Sequence, residues 1–318
     1  MTDPADTPPT PDLAADTPPD APVPDAPVPD APADVPGAVP ADLLDAAPVP
    51  VPGAVSGPIP GSPAPAPHRR RRPRLRWFVL GAVLVVVVAI VGGAIWFFSP
   101  QPLLPEATAA LASTPAATYA EEPTGLTFTS TQGGVTTGLV LYPGAKVPAE
   151  AYAPTARAIA ERGYVVVVVP MPLNFAIFDV GAADRVIAAH PEISRWAVGG
   201  HSLGGAMAAQ YLADNPGTAA GLVLCGAYSA SDLSTRQLLA SSVYGSLDAA
   251  ATKIEDPATQ ALLPPATAYE RIEGGNHEQC GWYTGQPNDP PATVSRQRQQ
   301  TLIVTAWVTM LEALAAAP

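Results

Sequence analysis

The sequence predicts an α/β fold in the C-terminal two thirds of the chain, with a mostly parallel, doubly wound sheet flanked by helices. Strand-like and helix-like segments alternate from about residue 120 to the end, which is typical of parallel sheets whose connections are helical. Residues 164–169 are apolar on both faces, as a central parallel strand requires. A glycine-rich turn at 199–205 joins a strand-like segment to a helix-like one, which is a third sign of this class.

The alternation can be divided into individual elements. The segment between residues 225 and 239 is only about a dozen residues, which leaves little room for an inserted lid. Arg296, Arg298 and Glu312 interrupt the last apolar segment, so we predict an amphipathic closing helix there and not a second membrane span. Strands are predicted at 125–129, 138–142, 164–169, 196–199, 220–225, 239–244 and 268–272, and helices at 150–162, 181–189, 202–215, 256–263 and 294–316.

Residues 1–67 are predicted to be a disordered tail rich in Pro, Ala and Asp. Proline removes backbone donors and favours extended polyproline II, and the scattered valines bury too little apolar area to offset the entropy of ordering. The segment is therefore interpreted as a solvated spacer, with a docking site for a proline-reading partner as the alternative.

A membrane anchor is predicted after this tail. Six arginines lie within 68–76, and residues 77–98 contain no charged residue over about the length that crosses a bilayer. A signal peptide has a shorter apolar region near the start of the chain, and a buried core helix has a polar face. Because basic residues favour the cytoplasmic side, we predict a single-pass cell-membrane protein with a cytoplasmic N-terminus, an external stalk at 99–119 and an extracytoplasmic domain at 120–318.

Charge excludes one class of partner. The whole chain has a formal net charge of −12, and residues 77–318 contain 18 acidic and 10 basic residues. A domain of this charge repels polyanions, so we predict no nucleic-acid partner. No His, Cys and carboxylate cluster has the spacing of metal ligands, so we predict no metal and no cofactor.

The turn Gly200-His201-Ser202-Leu203-Gly204 has the pattern of a nucleophile elbow. Such a turn holds its serine in a strained conformation, and the residues two before and two after must be small for strand and helix to approach each other. Ser202 is therefore the predicted nucleophile. The alternative is a glycine-rich turn of purely structural use.

Two further residues complete a predicted catalytic triad. Asp248 follows the predicted strand 239–244 and His277 follows the strand 268–272, which is the chain order of acid and histidine expected after such an elbow. His277 would accept the proton of Ser202, and the Asp248 carboxylate would hold the imidazole tautomer. Asp232, after the strand at 220–225, is the alternative acid.

The oxyanion formed in acyl transfer requires backbone donors. The N–H of Leu203 is one predicted donor, and the N–H of Ala145, in the turn after strand 138–142, is the other, with an ordinary turn as the alternative. Met171, Leu173, Asn174 and Phe175 follow the valine-rich strand, and we predict that they line the substrate pocket. Local packing is the alternative for these four residues.

Several motifs together resemble one family. Leu139-Val140-Leu141-Tyr142-Pro143-Gly144-Ala145-Lys146, Val168-Val169-Pro170-Met171-Pro172-Leu173, Gly199-Gly200-His201-Ser202-Leu203-Gly204-Gly205, Tyr244-Gly245-Ser246-Leu247-Asp248 and Gly274-Gly275-Asn276-His277 are similar to the small bacterial alpha/beta hydrolase family 5 domains, relatives of dienelactone hydrolases. The resemblance covers about residues 120–316 and implies an α/β-hydrolase fold that hydrolyses an ester or similar bond. Dienelactone hydrolases carry a cysteine nucleophile where this chain has Ser202.

The leading functional prediction is a cell-envelope esterase or acyl hydrolase acting on a small-molecule or lipid-like ester, with the bilayer contacted through 77–98. A peptidase or amidase on the same triad and a non-catalytic binding domain are the alternatives, and the oligomeric state stays open. Cys225 and Cys280 are predicted near the catalytic edge of the sheet, where a disulfide could persist outside the cytoplasm. Two buried thiols are the alternative.

Overall fold

The computed structural model describes residues 72–317, with side chains from residue 75. The predicted tail at 1–67 and the first residues of the arginine cluster lie outside this range. The first described element is helix α1, Arg72–Phe98. Its segment Leu75–Phe98 has 24 residues and a mean hydropathy of 2.9, and none of it is buried. At 1.5 Å per residue it is about 36 Å long, enough to cross a membrane by length and composition.

An eight-stranded sheet forms the centre of the folded domain, with strand order β1-β2-β4-β3-β5-β6-β7-β8. The pairs β1–β2 and β2–β4 are antiparallel, and the strands from β4 to β8 in this order are parallel. The predicted α/β class with a mostly parallel sheet is therefore confirmed. The strands are β1 Ala117–Glu122, β2 Gly125–Ser130, β3 Thr137–Tyr142, β4 Val165–Val168, β5 Arg195–His201, β6 Gly221–Cys225, β7 Leu239–Gly245 and β8 Ala268–Ile272.

Helices cover both faces of the sheet, as the apolar character of its central strands requires. Helices α3 and α8 pack on one face in a core that includes the fully buried ring of Trp307, while α4 and α5 pack on the other. The segment 226–238 between β6 and β7 contains no helix or strand, in agreement with the prediction of no large lid. The helices after α1 are α2 Pro105–Ala109, α3 Ala153–Ala160, α4 Ala182–Ala189, α5 Leu203–Asp214, α6 Ala251–Ile254, α7 Pro257–Gln260 and α8 Arg296–Ala316.

The predicted stalk at 99–119 is wrong, because this segment packs on the domain. Helix α2 buries Ala107 completely, and the Leu104 N–H donates to the Trp282 carbonyl at 3.0 Å. The following strand, β1, pairs along its whole length with β2. The segment is held to the domain by small alanine side chains and backbone hydrogen bonds, which leave little hydropathy pattern in the sequence.

Candidate active site

Ser202 lies in a sharp turn between β5 and α5. Its backbone has φ 52° and ψ −124°, which is a strained conformation for a residue with a side chain. The Ser202 N–H donates to the Cys225 carbonyl at 3.0 Å, which ties the turn to the end of β6. Ser202 is half-buried, and because it directly follows the last residue of β5 it lies at the carboxyl edge of the parallel strands.

The glycines around this turn are required by close backbone contacts. A Cβ on Gly200 would lie 2.3 Å from the Tyr142 carbonyl oxygen, and a Cβ on Gly204 would lie 2.2 Å from the same atom. Neither distance is possible for real carbon and oxygen atoms. The two glycines therefore allow the turn after β5 to lie directly against the end of β3. A Cβ on Gly200 would also lie 2.8 Å from the Gly204 carbonyl carbon, so strand β5 and helix α5 approach closely at this turn.

Asp248 and His277 are in direct contact. The His277 Nδ1 lies 3.0 Å from Oδ1 and 2.9 Å from Oδ2 of Asp248. The Asp248 side chain is fully buried, and its Oδ1 also accepts the Ala250 N–H at 2.7 Å. A carboxylate at Nδ1 holds the N–H on that nitrogen and leaves Nε2 as the atom that can accept a proton.

The loop that carries His277 is held by several side chains that the sequence analysis did not identify. The two oxygens of the Asp289 carboxylate accept the backbone N–H groups of His277 and Glu278 at 3.1 and 2.8 Å. The Gln299 side chain accepts the Asn276 N–H at 3.1 Å and donates to its carbonyl at 2.8 Å. Burial raises the pKa of the Asp289 carboxyl, although the hydrogen bonds from the Glu278 and His277 N–H groups act to lower it.

Residues next to Ser202 lie against the Asp248–His277 pair. A Cβ on Gly226, the residue after the carbonyl that accepts the Ser202 N–H, would lie 2.6 Å from Asp248 Oδ2 and 2.9 Å from His277 Nδ1. The ring of His201 has its centroid 4.5 Å from that of His277. Within residues 75–317, no hydrogen bond joins the Ser202 hydroxyl to the His277 imidazole. The structure thus brings the acid and the histidine into contact, and His201 and Gly226, which flank Ser202 and its N–H acceptor, lie against this pair.

Replacement of Gly226 by alanine is expected to displace the acid–histidine pair, since its Cβ position is occupied and its φ is +54°. We expect kcat for hydrolysis to fall about 10²-fold, the scale of a misplacement of about 1 Å. Gly217→Ala is a matched control, because Gly217 has φ +87° and nothing within 4 Å of its Cβ position. Steady-state kinetics of both variants separate the clash from backbone strain, and equal losses would contradict this explanation.

The alternative acid, Asp232, is hydrogen-bonded within its own turn. Its carboxylate is exposed and accepts the N–H and hydroxyl of Ser234 at 2.9 and 2.6 Å. These hydrogen bonds lower the pKa of Asp232 below its usual value. Asp232 therefore stabilises its own turn, and Asp248 is the carboxylate that contacts the His277 imidazole.

Ala145 lies in the turn after β3, between two residues whose N–H groups are already engaged. The Gly144 N–H donates to the Tyr152 hydroxyl at 2.9 Å, and the Lys146 N–H donates to the Asn174 carbonyl at 2.7 Å. On the elbow, the Leu203 N–H belongs to the first residue of α5, where donors have no partner within the helix. A Cβ on Gly204 would lie 2.3 Å from the Pro143 carbonyl oxygen, so the two turns are in contact.

A buried network of Tyr152 and His201 supports the turn after β3. The Tyr152 hydroxyl accepts the Gly144 N–H at 2.9 Å and is hydrogen-bonded to His201 Nδ1 at 2.8 Å. Burial, reinforced by the neighbouring His277 imidazole, lowers the pKa of His201 well below its usual value, and burial raises the pKa of Tyr152. Both groups are therefore neutral at pH 7. Sequence reasoning missed Tyr152, because no local pattern links it to the elbow.

The four residues predicted to line the substrate pocket differ in burial and do not form one continuous wall. Met171 is buried in the core between the sheet and α4 and α5, so this residue is not part of an open pocket wall. Leu173 is 56% exposed, Asn174 contributes its carbonyl to the turn after β3, and Phe175 is half-buried. These positions follow from a short loop with two residues, Leu173 and Asn174, at positive φ.

A cavity of about 330 Å³ borders the acid–histidine pair. It was not anticipated, because residues 286–289 contribute to it from a loop without periodicity. Its walls combine charged and amide side chains with apolar surface from alanine, proline and tyrosine. It is lined by Tyr228, Asp248, Ala249, Ala250, Lys253, His277, Gln286, Pro287, Asn288 and Asp289. Within residues 75–317, no group of three or more His, Cys, Asp or Glu side chains could hold a metal ion.

A disulfide joins Cys225, the last residue of β6, to Cys280, three residues after His277. The two Cα atoms are 6.1 Å apart, and the cysteines are separated by 55 residues in sequence. The bond therefore connects the strand end next to Ser202 with the loop that carries the histidine.

Removal of this disulfide is expected to destabilise the domain. Closing a loop of 55 residues lowers the entropy of the unfolded chain by an amount equivalent to about 4 kcal/mol. The variant Cys225→Ala/Cys280→Ala should therefore unfold at a lower temperature, and reductant should shift the native protein toward it while leaving the variant unchanged. Thermal unfolding with and without reductant measures both effects. A variant that unfolds at the same midpoint as the oxidised native protein would contradict the prediction.

Comparison with known proteins gives one finding. A model of the alpha/beta hydrolase family matches residues 138–301, just over half of the chain, which include the six strands from β3 to β8. No curated protein matches the chain.

Proposed function

This chain belongs to the alpha/beta hydrolase family, and from that premise we propose that it is a membrane-anchored serine hydrolase that cleaves ester bonds. The observation that carries the proposal is the contact of His277 with Asp248 beside a strained serine, Ser202. A strained serine at a strand-to-helix turn, with a carboxylate-oriented imidazole next to it, is the arrangement that activates a hydroxyl as a nucleophile.

The proposed reaction proceeds through an acyl-enzyme. Ser202 Oγ attacks the ester carbonyl carbon while His277 Nε2 takes the hydroxyl proton, and the imidazolium returns that proton to the leaving alcohol. Water then attacks the acyl-serine in the same way and releases the acid. Asp248 stabilises the imidazolium from the Nδ1 side. Closing the Ser202–His277 hydrogen bond is part of substrate binding in this proposal, since such bonds are often loose in a free enzyme.

The oxyanion of each tetrahedral intermediate would be stabilised by the N–H groups of Leu203 and Ala145. Two features support these donors: α5 begins at Leu203, and the turn around Ala145 is fixed by the Tyr152 hydroxyl and the Asn174 carbonyl. A donor of this kind contributes about 3 to 4 kcal/mol to transition-state stabilisation. Because the turn is held before substrate binds, little reorganisation is required.

Membrane anchoring is the second part of the proposal. Its support is the length and composition of Leu75–Phe98 and the arginines just before it, which favour a cytoplasmic N-terminus. The disulfide at Cys225 also favours an oxidising compartment for the hydrolase domain. Protease added to intact spheroplasts should therefore digest the hydrolase domain. Protection of this domain until the membrane is lysed would contradict the topology.

The substrate class is tested with the full chain in detergent and a series of p-nitrophenyl esters from acetate to palmitate. Matched p-nitroanilides of the same acids give the rate for an amine leaving group. We expect hydrolysis of esters, with anilide rates lower by about 10² or more, because the histidine must protonate a much poorer leaving group. Anilide rates equal to ester rates would favour an amidase, and no turnover of either series would contradict hydrolysis.

A further inference from the structure

Three large apolar side chains are exposed within one short segment next to the site. Leu173, Ile177 and Phe178 are each 56% exposed, and they belong to the apolar loop, which we define as residues 171–178. Among the described residues after α1, Tyr228 is the only other large apolar side chain that is exposed. Clustered exposure of this kind marks a surface that is covered by something apolar.

The apolar loop contacts the end of the proposed membrane span. The Phe175 ring stacks on Phe97 with centroids 5.7 Å apart and planes within 8°, and it meets Phe98 edge-on at 5.9 Å. Trp96, in the same last turn of α1, also contacts the domain, because Lys146 Nζ lies 5.3 Å from the centre of the Trp96 ring and donates to the Trp96 carbonyl at 3.4 Å. The carboxyl end of α1 thus lies against both the apolar loop and the turn after β3.

The connection between helix and domain is short and attached to the domain. Only residues 99–104 separate α1 from α2, and within them the Gln101 N–H donates to the Lys146 carbonyl at 2.8 Å. A span of this length ends where the hydrocarbon meets the headgroups, and aromatic residues such as Trp96 favour that depth. A loop packed on the last turn of the span therefore lies at the same interface.

We propose that the apolar loop docks on the outer leaflet of the bilayer, and that the substrate is an amphipathic ester whose acyl chain stays in that leaflet. The proposal rests on the proposed ester hydrolysis and names its substrate class. Lipid is the occupant that fits, because the exposed side chains continue the apolar surface of α1 directly. The Lys146 N–H donates to the Asn174 carbonyl, so the docked loop is hydrogen-bonded to the turn that carries Ala145. An ester carbonyl at the interface would thus lie near the proposed oxyanion donors.

The kinetic test uses the full chain reconstituted in phosphatidylcholine vesicles. One substrate, p-nitrophenyl palmitate, is dissolved in the vesicles, and the other, p-nitrophenyl butyrate, is dissolved in water. The variant Ile177→Ser/Phe178→Ser should lower the ratio of palmitate to butyrate rates on the order of ten-fold, because interfacial binding scales with buried apolar area. The matched control Ile177→Leu/Phe178→Leu should keep the native ratio. An unchanged ratio in the serine variant, or an equal fall in both variants, would overturn the proposal.

A second measurement locates the loop without requiring activity. A bimane label on Ile177→Cys should be quenched by doxyl-labelled phosphatidylcholine, whereas a label on Thr309→Cys should not be. Thr309 is exposed on α8 and lies near Ala268 of β8, an edge strand of the sheet, whereas the apolar loop follows β4, near the other edge. Equal quenching at the two positions would overturn the docking surface even if esters are hydrolysed. Quenching at Ile177 alone, with no hydrolysis of either ester, would support the surface and contradict the proposed function.

Discussion

Ser202→Ala is expected to lower kcat for ester hydrolysis on the order of 10⁵-fold, which is the effect of removing a nucleophile that acts as a unit with its base. The remaining rate would come from the oxyanion donors and from substrate binding. The change removes one oxygen from a half-buried side chain, so the free energy of unfolding should change little. Initial rates with p-nitrophenyl butyrate measure the effect, and far-ultraviolet circular dichroism checks the fold.

Ser231→Ala is the matched control for this substitution. Ser231 is also half-buried and follows β6, but its hydroxyl donates to the Gln210 side chain at 2.8 Å, away from His277. We expect it to retain native kcat. If the Ser202 variant kept more than about a tenth of the native rate, its hydroxyl could not be the nucleophile of an acyl-enzyme reaction.

Asp248→Asn is expected to lower kcat about 10⁴-fold, because an amide no longer holds the imidazole in the tautomer with its basic nitrogen free. The carboxylate is fully buried against His277, so the amide should keep the shape of the site while removing its charge. The pH dependence of kcat/KM should also change, since the imidazolium loses its partner.

Asp232→Asn tests the alternative acid in the same assay. The Asp232 carboxylate is exposed and bonded to Ser234, so we expect kcat to remain within about two-fold of native, as for surface substitutions away from such a site. A large loss at Asp232 with little loss at Asp248 would reverse the assignment of the acid.

The main elements of the sheet and the elbow could be predicted from the sequence because their signals are local. The predicted strands match the observed ones within two residues, since long valine-rich and Gly-rich segments leave few alternatives. Ser202 was identifiable from glycines that its turn requires, and Asp248 and His277 from their place after successive strands. Parallel strands bring these three positions to one edge whatever their separation in sequence.

The supporting contacts could not be predicted, because they depend on side chains that are distant in sequence. Tyr152 reaches the turn after β3 and His201 from the start of α3, and Asp289 holds the histidine loop from a segment without periodicity. The attachment of residues 99–119 was missed for a different reason. Its buried residues are mainly alanines, which do not mark a core by hydropathy.

We propose that the Ser202 hydroxyl is made reactive by the acid–histidine pair of Asp248 and His277. The most direct measurement is labelling of the full chain with a fluorophosphonate, followed by mass spectrometry of its peptides. We expect a single adduct on Ser202, strongly reduced in Asp248→Asn and absent after His277→Ala. An unmodified protein, or an adduct on a different residue with Ser202 unlabelled, would contradict it.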